Sequence, residues 1–343
     1  MNKKTYCTSE YKENERTRQR SLLGSNILEG AEGNGYYIEK GELKVKDYIL
    51  KPEDSLKCLY SPIRKDALKY FENYDIAWWR QYEDRYFPTG HLLSSQSHCL
   101  NHLFHIRKDP DAILAIIQPI GESAGIHFDK VLPSFIDTHE AYFDNTTQKP
   151  VSNSNFISFE FVCDNILSLG ESREKRGSKC TSVDALVYAQ AGEEKWLVPI
   201  EWKYTEVYSH DKEYDRDRYA SYFHKTSRLS GWVDNYEIEP FYELSRQTLL
   251  MENLIINKPL VGKISTNYPQ KPLQADNFLH IVVVPDGNIE LRKDLEKFRS
   301  TIKENSQKYF CTIDPQELLN PLKNSYPDLL DYLNSRYWNV ESK

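Results

Sequence analysis

Apolar and polar residues alternate with period two over residues 181–189 and 195–204, and Gly192-Glu193 between the runs suits a two-residue β-turn with glycine first. A turn centred there pairs residues whose numbers sum to 385, so Asp184 stands directly opposite Glu201. Alternation collects Val183, Ala185, Val187, Trp196, Val198, Ile200 and Trp202 on one apolar face that must pack against a core. Asp184, Glu201 and Lys203 share the other face, which Leu186, Tyr188, Leu197 and Pro199 cover toward the turn. Pro199 has no N–H to give to a ladder, which predicts a sheet edge or a local irregularity.

The rest of the chain divides by the same reasoning. Residues 1–20 read as a polar helix or arm, and 21–54 as a glycine-rich acidic loop with a short hairpin. Ser61-Pro62 opens a helix whose apolar spacing runs over 63–72, and a second helix is predicted over 91–107. After Pro119 the pattern turns to strands near 125–128, 135–143 and 156–163. The densely charged stretch 206–225 reads as an exposed helix. Residues 241–256 form an amphipathic helix with Arg246 and Gln247 on its polar side. The apolar run 278–284 reads as a buried central strand ending at the turn Pro285-Asp286-Gly287, with helices over 291–302 and 315–333 around a strand at 309–313. The order is helix, three strands, helix, strand, helix, strand, helix: an α/β protein with a mixed central sheet flanked by helices. An N-terminal arm and helical elaboration would occupy 1–90 and the main unit 91–343, in one compact body.

Charge and composition narrow the function. The net charge of −7 argues against a protein that coats nucleic acid indiscriminately. Residues 172–180 nevertheless carry Arg173, Lys175, Arg176 and Lys179 against Glu174, a basic loop just before the Asp184 strand that suits either solvent or phosphate. The six cysteines show no Cys-x-x-Cys pair and read as reduced core residues. No signal-peptide pattern opens the chain, and the apolar runs at 112–117 and 278–284 are too short for a bilayer, so a soluble, cytoplasmic protein with no membrane partner is expected. On a helical wheel His98, His102 and His105 fall on one side, a polar face toward solvent or substrate. As a zinc site they lack the ligands to complete a tetrahedral shell. Of the aromatic residues, Trp78-Trp79 is the pair to test for nucleic-acid contact, with core packing the plainer role.

Glu-x-Lys occurs five times, at Glu10, Glu42, Glu193, Glu201 and Glu341, and of these Glu201 alone ends an apolar strand. Carboxylates opposed at roughly 5 Å repel unless positive charge lies between them, and a divalent cation would supply it. The plainer reading is a pair of strand-end charges, one of them neutralised by Lys203. Glu160, flanked by Phe159 and Phe161 in a strand, also needs a partner or a metal if buried.

A strand bearing Asp, a turn, and an apolar strand ending Glu-x-Lys resembles the PD-(D/E)XK, restriction-endonuclease-like nuclease superfamily. Closer still is a bacterial group of restriction endonucleases. That resemblance rests on Ser94-Ser95-Gln96, Leu169-Gly170-Glu171, Arg176-Gly177, Thr181-Ser182-Val183-Asp184-Ala185, Ile200-Glu201-Trp202-Lys203-Tyr204-Thr205-Glu206 and Arg246-Gln247-Thr248-Leu249-Leu250. Val183 departs from the proline of the superfamily name. The resemblance implies an αβββαβ nuclease core. Asp184 and Glu201 would hold Mg²⁺, or Mn²⁺ as substitute, with the backbone carbonyl of Trp202, while Lys203 orients or deprotonates the attacking water. Glu160 and Glu171 compete as a further metal ligand. Arg173, Arg176, Lys179, Gln96, Arg246 and Gln247 are the candidate contacts to DNA, and a homodimer would bring two sites to two strands. Alternatives from other classes are a catalytically silent nucleic-acid-binding protein on this fold, and a zinc enzyme built on the histidine helix.

Overall fold

The computed structural model describes residues 9–39, 42–79, 86–135, 155–162, 180–208, 223, 226–231, 233–261 and 271–338. Helix α1 (Glu10–Ser21) leads to the hairpin β1 (Gly35–Glu39) and β2 (Glu42–Lys46), then to α2 (Arg64–Asn73), α3 (Ser95–Leu103) and α4 (Pro110–Ser123). Strands β3 (Lys130–Leu132), β4 (Ile157–Phe161), β5 (Val183–Ala191) and β6 (Glu194–Trp202) follow, then α5 (Phe241–Asn257). The chain continues through the short strands β7 (Leu260–Val261), β8 (Lys271–Pro272) and β9 (Asn277–Phe278) to β10 (His280–Val283), α6 (Ile289–Ser300), β11 (Phe310–Ile313), α7 (Pro315–Leu319) and α8 (Pro327–Leu333).

A seven-stranded mixed sheet forms the centre. Its main order is β11-β10-β6-β5-β3, with β4 also on β5 and β9 also on β6. Strands β4, β5 and β6 are antiparallel neighbours, whereas β10 runs parallel to β6 and β11 parallel to β10. The β5–β6 register is the one the turn predicts: Ala185 pairs with Ile200 and Ala191 with Glu194, and Gly192 adopts φ 59° in the turn. One face of the sheet buries Ala185, Val187, Trp196, Val198, Ile200 and Trp202 against α2, α3, α4 and the C-terminal helices, in a core that also holds Leu28, Leu59 and Trp78. The other face packs Leu186 and Leu197 against Leu250, Met251 and Leu254 of α5.

Val183 departs from the predicted face and packs with Phe161, Leu186 and Leu197. The reason lies on the neighbouring strand. Glu160 has φ 48°, a left-handed conformation inside β4, so Phe159 enters one core and Phe161 the other, and Val183, paired with Phe161, goes with it. Pro199 sits not at an edge but in the central strand β6, paired with Leu186. The Lys203 N–H points at Val283, so position 199, two alternations earlier, faces the same side. There the neighbouring strand is interrupted at Leu279, between β9 and β10.

Three other expectations are corrected. Residues 125–128 are a loop rather than a strand, because the Ile126 and Phe128 N–H groups turn back onto the Gly121 carbonyl and the Gln118 side chain, although both residues are buried as a strand pattern would have them. Helix α4 runs through Pro119, where burial of Ile113, Ile116, Ile117 and Ile120 outweighs the missing donor. The helix read over 315–333 is broken before Pro327, since a residue preceding proline disfavours helical geometry. The strand read at 135–143 and most of the charged stretch 206–225 lie outside the described residues. Among the described residues no helix is long and apolar enough to cross a membrane.

Candidate active site

The acidic residues meet at the C-terminal end of β6, where that strand lies between β5 and β10 and Glu201 pairs with Val282. This central position buries Glu201 and Lys203 almost completely. Asp184, at the start of β5, accepts a hydrogen bond at 2.7 Å from the Trp202 N–H, which ties the two strands across the site. Lys203 Nζ lies 2.5 Å from Glu201 Oε1 and also pairs with Glu243 of α5. Gln247, one turn further along α5, donates from Nε2 to Glu201 Oε2 at 2.6 Å and to the Ser182 carbonyl at 2.8 Å. Both lone-pair faces of the Glu201 carboxylate are thus held, one by an ammonium and one by an amide.

The charges are out of balance. The Asp184 carboxyl is pushed well above the usual carboxylate range, first by the protein packed around it and then by the charge of Glu160. Glu201 moves the same way, through burial, then Asp184 and Glu243. Burial alone would lower Lys203, but Glu201 and Glu243 outweigh it and hold the ammonium well above the ordinary lysine value. Glu243, which burial would raise, is lowered by Lys203. Lys203 is therefore a fixed cation shared between two carboxylates.

A third carboxylate joins from β4. Glu160, buried and left-handed, lines a narrow crevice with Gln96 and Cys99 of α3 and Asp184. Gln96 donates from Nε2 to Glu160 Oε1 at 2.7 Å and to the Ala77 carbonyl at 3.1 Å, and its oxygen accepts from the Trp79 N–H at 2.9 Å. Backbone strain at a buried acid facing another acid is a feature of functional sites.

A family model described as Restriction Endonuclease associating with ARP, REase-ARP, matches residues 25–338. The chain belongs to this family. No curated protein and no solved structure is significantly similar to it. The REase-ARP match spans all the acidic residues above, together with Lys203, Gln96 and Gln247.

Of the residues singled out from the sequence, the REase-ARP structure brings together Asp184, Glu201, Lys203, Glu160, Gln96 and Gln247. Arg246 stacks its guanidinium over the Tyr242 ring at 4.6 Å on the same helix. Glu171, Arg173, Arg176 and Lys179 lie outside the described residues. Glu243 was missed. The signal that could have found it is spacing: Glu243 and Gln247 are four apart on α5 and so share a helix face.

The histidine helix is corrected most. His98 and His102 are buried, while His105 alone is exposed. His98 Nδ1 accepts from the Trp202 indole N–H at 2.6 Å, and its ring stacks on Tyr204 at 4.0 Å. Its polar face turns inward because Trp202 and Tyr204, at the end of β6, give it aromatic surface and a donor. The fold thus props the back of the strand that carries Glu201.

Burial lowers His102, and likewise His280 of β10, from 6.5 to about 3. The unfolded chain takes up these protons below 6.5 while the folded chain refuses them. Stability is therefore full above that value and falls with pH, by about 1.4 kcal/mol per histidine for each pH unit. Among the described residues neither ring nitrogen of His280 has a hydrogen-bond partner. Denaturant titrations over roughly pH 7 to pH 4 should show a shallower loss for His280→Phe than for the wild type. An identical slope in both proteins would contradict the assignment.

Proposed function

We propose that this chain is a divalent-cation-dependent nuclease of the restriction-endonuclease type that hydrolyses DNA phosphodiester bonds on a PD-(D/E)XK core. The observation that carries this reading is the placing of Asp184 and Glu201 on adjacent strands, with Asp184 tied to the Trp202 N–H and Lys203 at ion-pair distance from Glu201, in a chain matched to REase-ARP over most of its length. Among the described residues no group of three or more His, Cys, Asp or Glu side chains is set to hold a metal. The donor set would therefore be the Asp184 and Glu201 carboxylates with the Trp202 carbonyl. It suits Mg²⁺, which binds one or two carboxylates and keeps several waters. The raised Asp184 and Glu201 carboxyls fit the same view: burial and neighbouring carboxylates disfavour the two anions by more than the Lys203 ammonium offsets.

A bound Mg²⁺ or Mn²⁺ would supply a nucleophilic water near neutral pH and offset charge developing on the phosphate. The chain's own residues do the rest. Gln247 fixes the rotation of the Glu201 carboxylate, and the Trp202 N–H fixes Asp184. Lys203, released from Glu201, keeps its charge through Glu243 and places an ammonium beside the attacked phosphate, where it orients water and neutralises the developing anion.

Supercoiled plasmid incubated with Mg²⁺, Mn²⁺ or a chelator tests the reading. Metal-dependent nicking or linearisation is expected, and nicks alone or double breaks tell a single site from paired ones. Binding of DNA without cleavage under any metal would instead mark a silent member of the fold. Gln247→Ala frees one side of Glu201 and should weaken the apparent Mg²⁺ affinity roughly 10- to 100-fold, as loss of a ligand-orienting bond does. A metal titration of the cleavage rate that superimposes on the wild type would remove Gln247 from this role.

A further inference from the structure

We infer that Trp79 is a base-stacking contact for the DNA strand at the acid site; this rests on the nuclease reading above. The adjacent tryptophans have opposite fates. Trp78 is buried, stacked on Phe71 at 3.9 Å with an interplanar angle of 15°. Trp79 is 41 % exposed. Burying such a ring would contribute more than burying any other side chain, so a tryptophan that stays partly exposed beside a well-packed one is conspicuous.

Its placement gives it a task. The Trp79 N–H is held by the Gln96 oxygen, and the nitrogen of the same amide holds Glu160, which lines the crevice with Asp184. Two hydrogen bonds and one amide group thus separate the Trp79 backbone from Glu160, which shares the crevice with Asp184. The ring is braced edge-to-face on His91, centroids 4.9 Å apart at 80°, and His91 is braced in turn on Tyr48 at 5.1 Å. A braced indole loses little conformational entropy when a second ring lies on it. The chemistry that suits an aromatic face next to phosphate-directed acids is a nucleobase of the same strand, which stacks regardless of its identity.

The experiment uses the full chain with single-stranded and duplex DNA oligonucleotides of random sequence, in Ca²⁺ to hold the cation site without turnover. Binding is read by anisotropy and by tryptophan fluorescence, alongside Mg²⁺ cleavage kinetics. Trp79→Ala should weaken binding roughly 5- to 100-fold, the range of base–aromatic stacking, and raise KM more than it lowers kcat. Trp79→Phe, which keeps an aromatic face, should recover most of the affinity while losing the DNA-induced quenching of the wild type. Both variants should melt close to the wild type, since the ring is partly exposed and belongs to none of the buried core clusters. Binding by Trp79→Ala within twofold of the wild type, or quenching retained in Trp79→Phe, overturns the stacking role while cleavage by the wild type leaves the nuclease reading in place. A wild type that neither binds nor cleaves DNA overturns both.

Discussion

Asp184→Ala and Glu201→Ala should each reduce Mg²⁺-dependent DNA cleavage by roughly a thousandfold or more, to the limit of detection in a plasmid assay. Each removes one of two carboxylates proposed to hold the cation, and among the described residues the other carboxylates nearby are already engaged: that of Glu160 is held by Gln96 and that of Glu243 by Lys203. The loss should not come from unfolding. Both acids are raised above the ordinary carboxylate range, so the folded state prefers them protonated. The stability this preference confers is present below the unfolded carboxyl values and is lost as pH rises through the raised folded ones. Wherever the two acids are ionised they therefore weaken the fold, and Asp184→Asn should melt no lower than the wild type. Mg²⁺ should in turn raise the melting temperature of the wild type more than that of Asp184→Asn. Full cleavage by both alanine variants would end the assignment, whereas inactivity with a collapsed melting transition would point to a structural role.

Lys203→Met should have the opposite effect on stability and an equally large effect on activity. The ammonium is almost fully buried and pairs with both Glu201 and Glu243, so its removal leaves two carboxylates facing each other without a counter-ion. Breaking a buried pair from one side costs about 3–5 kcal/mol, much of it from the stranded charge. Because Lys203 is raised rather than lowered in the fold, its stabilising contribution is intact at every pH below the ordinary lysine value, and the loss should be read throughout the neutral range. Adding Glu243→Gln to Lys203→Met removes one stranded anion and should recover part of the stability, but no cleavage. Equal melting of Lys203→Met and the wild type would mean that Lys203 is no counter-ion to this cluster. Recovery of cleavage in the double variant would mean that the ammonium takes no part in the reaction.

The two predictions draw on different levels of information. The β5–β6 register was legible in the chain, because a glycine-led turn and alternation set it within a span of twenty residues, and it holds pair by pair from Ala185–Ile200 to Ala191–Glu194. The amphipathic spacing of α5 was legible for the same local reason. What Lys203 touches was not. Glu243 lies 40 residues away, Gln247 lies 46 from Glu201, and Gln96 lies 64 from Glu160. The histidine wheel over 91–107 was misread: the α-helix spans only Ser95–Leu103, His105 lies exposed on the turn after it, and His98 and His102 face inward toward Trp202, whose indole His98 accepts from and which lies 104 residues further on.

By itself, then, the sequence determined the hairpin, its register and the placing of two acids on its adjacent strands, because backbone pairing and turn chemistry act between neighbours in the chain. Only the tertiary structure decided that Glu160 turns left-handed toward Asp184, that α5 places Glu243 and Gln247 against Lys203 and Glu201, and that Trp79 stays partly exposed while Trp78 is buried. Those outcomes depend on which surfaces of distant elements meet, and burial and charge act there through distances that no local periodicity encodes.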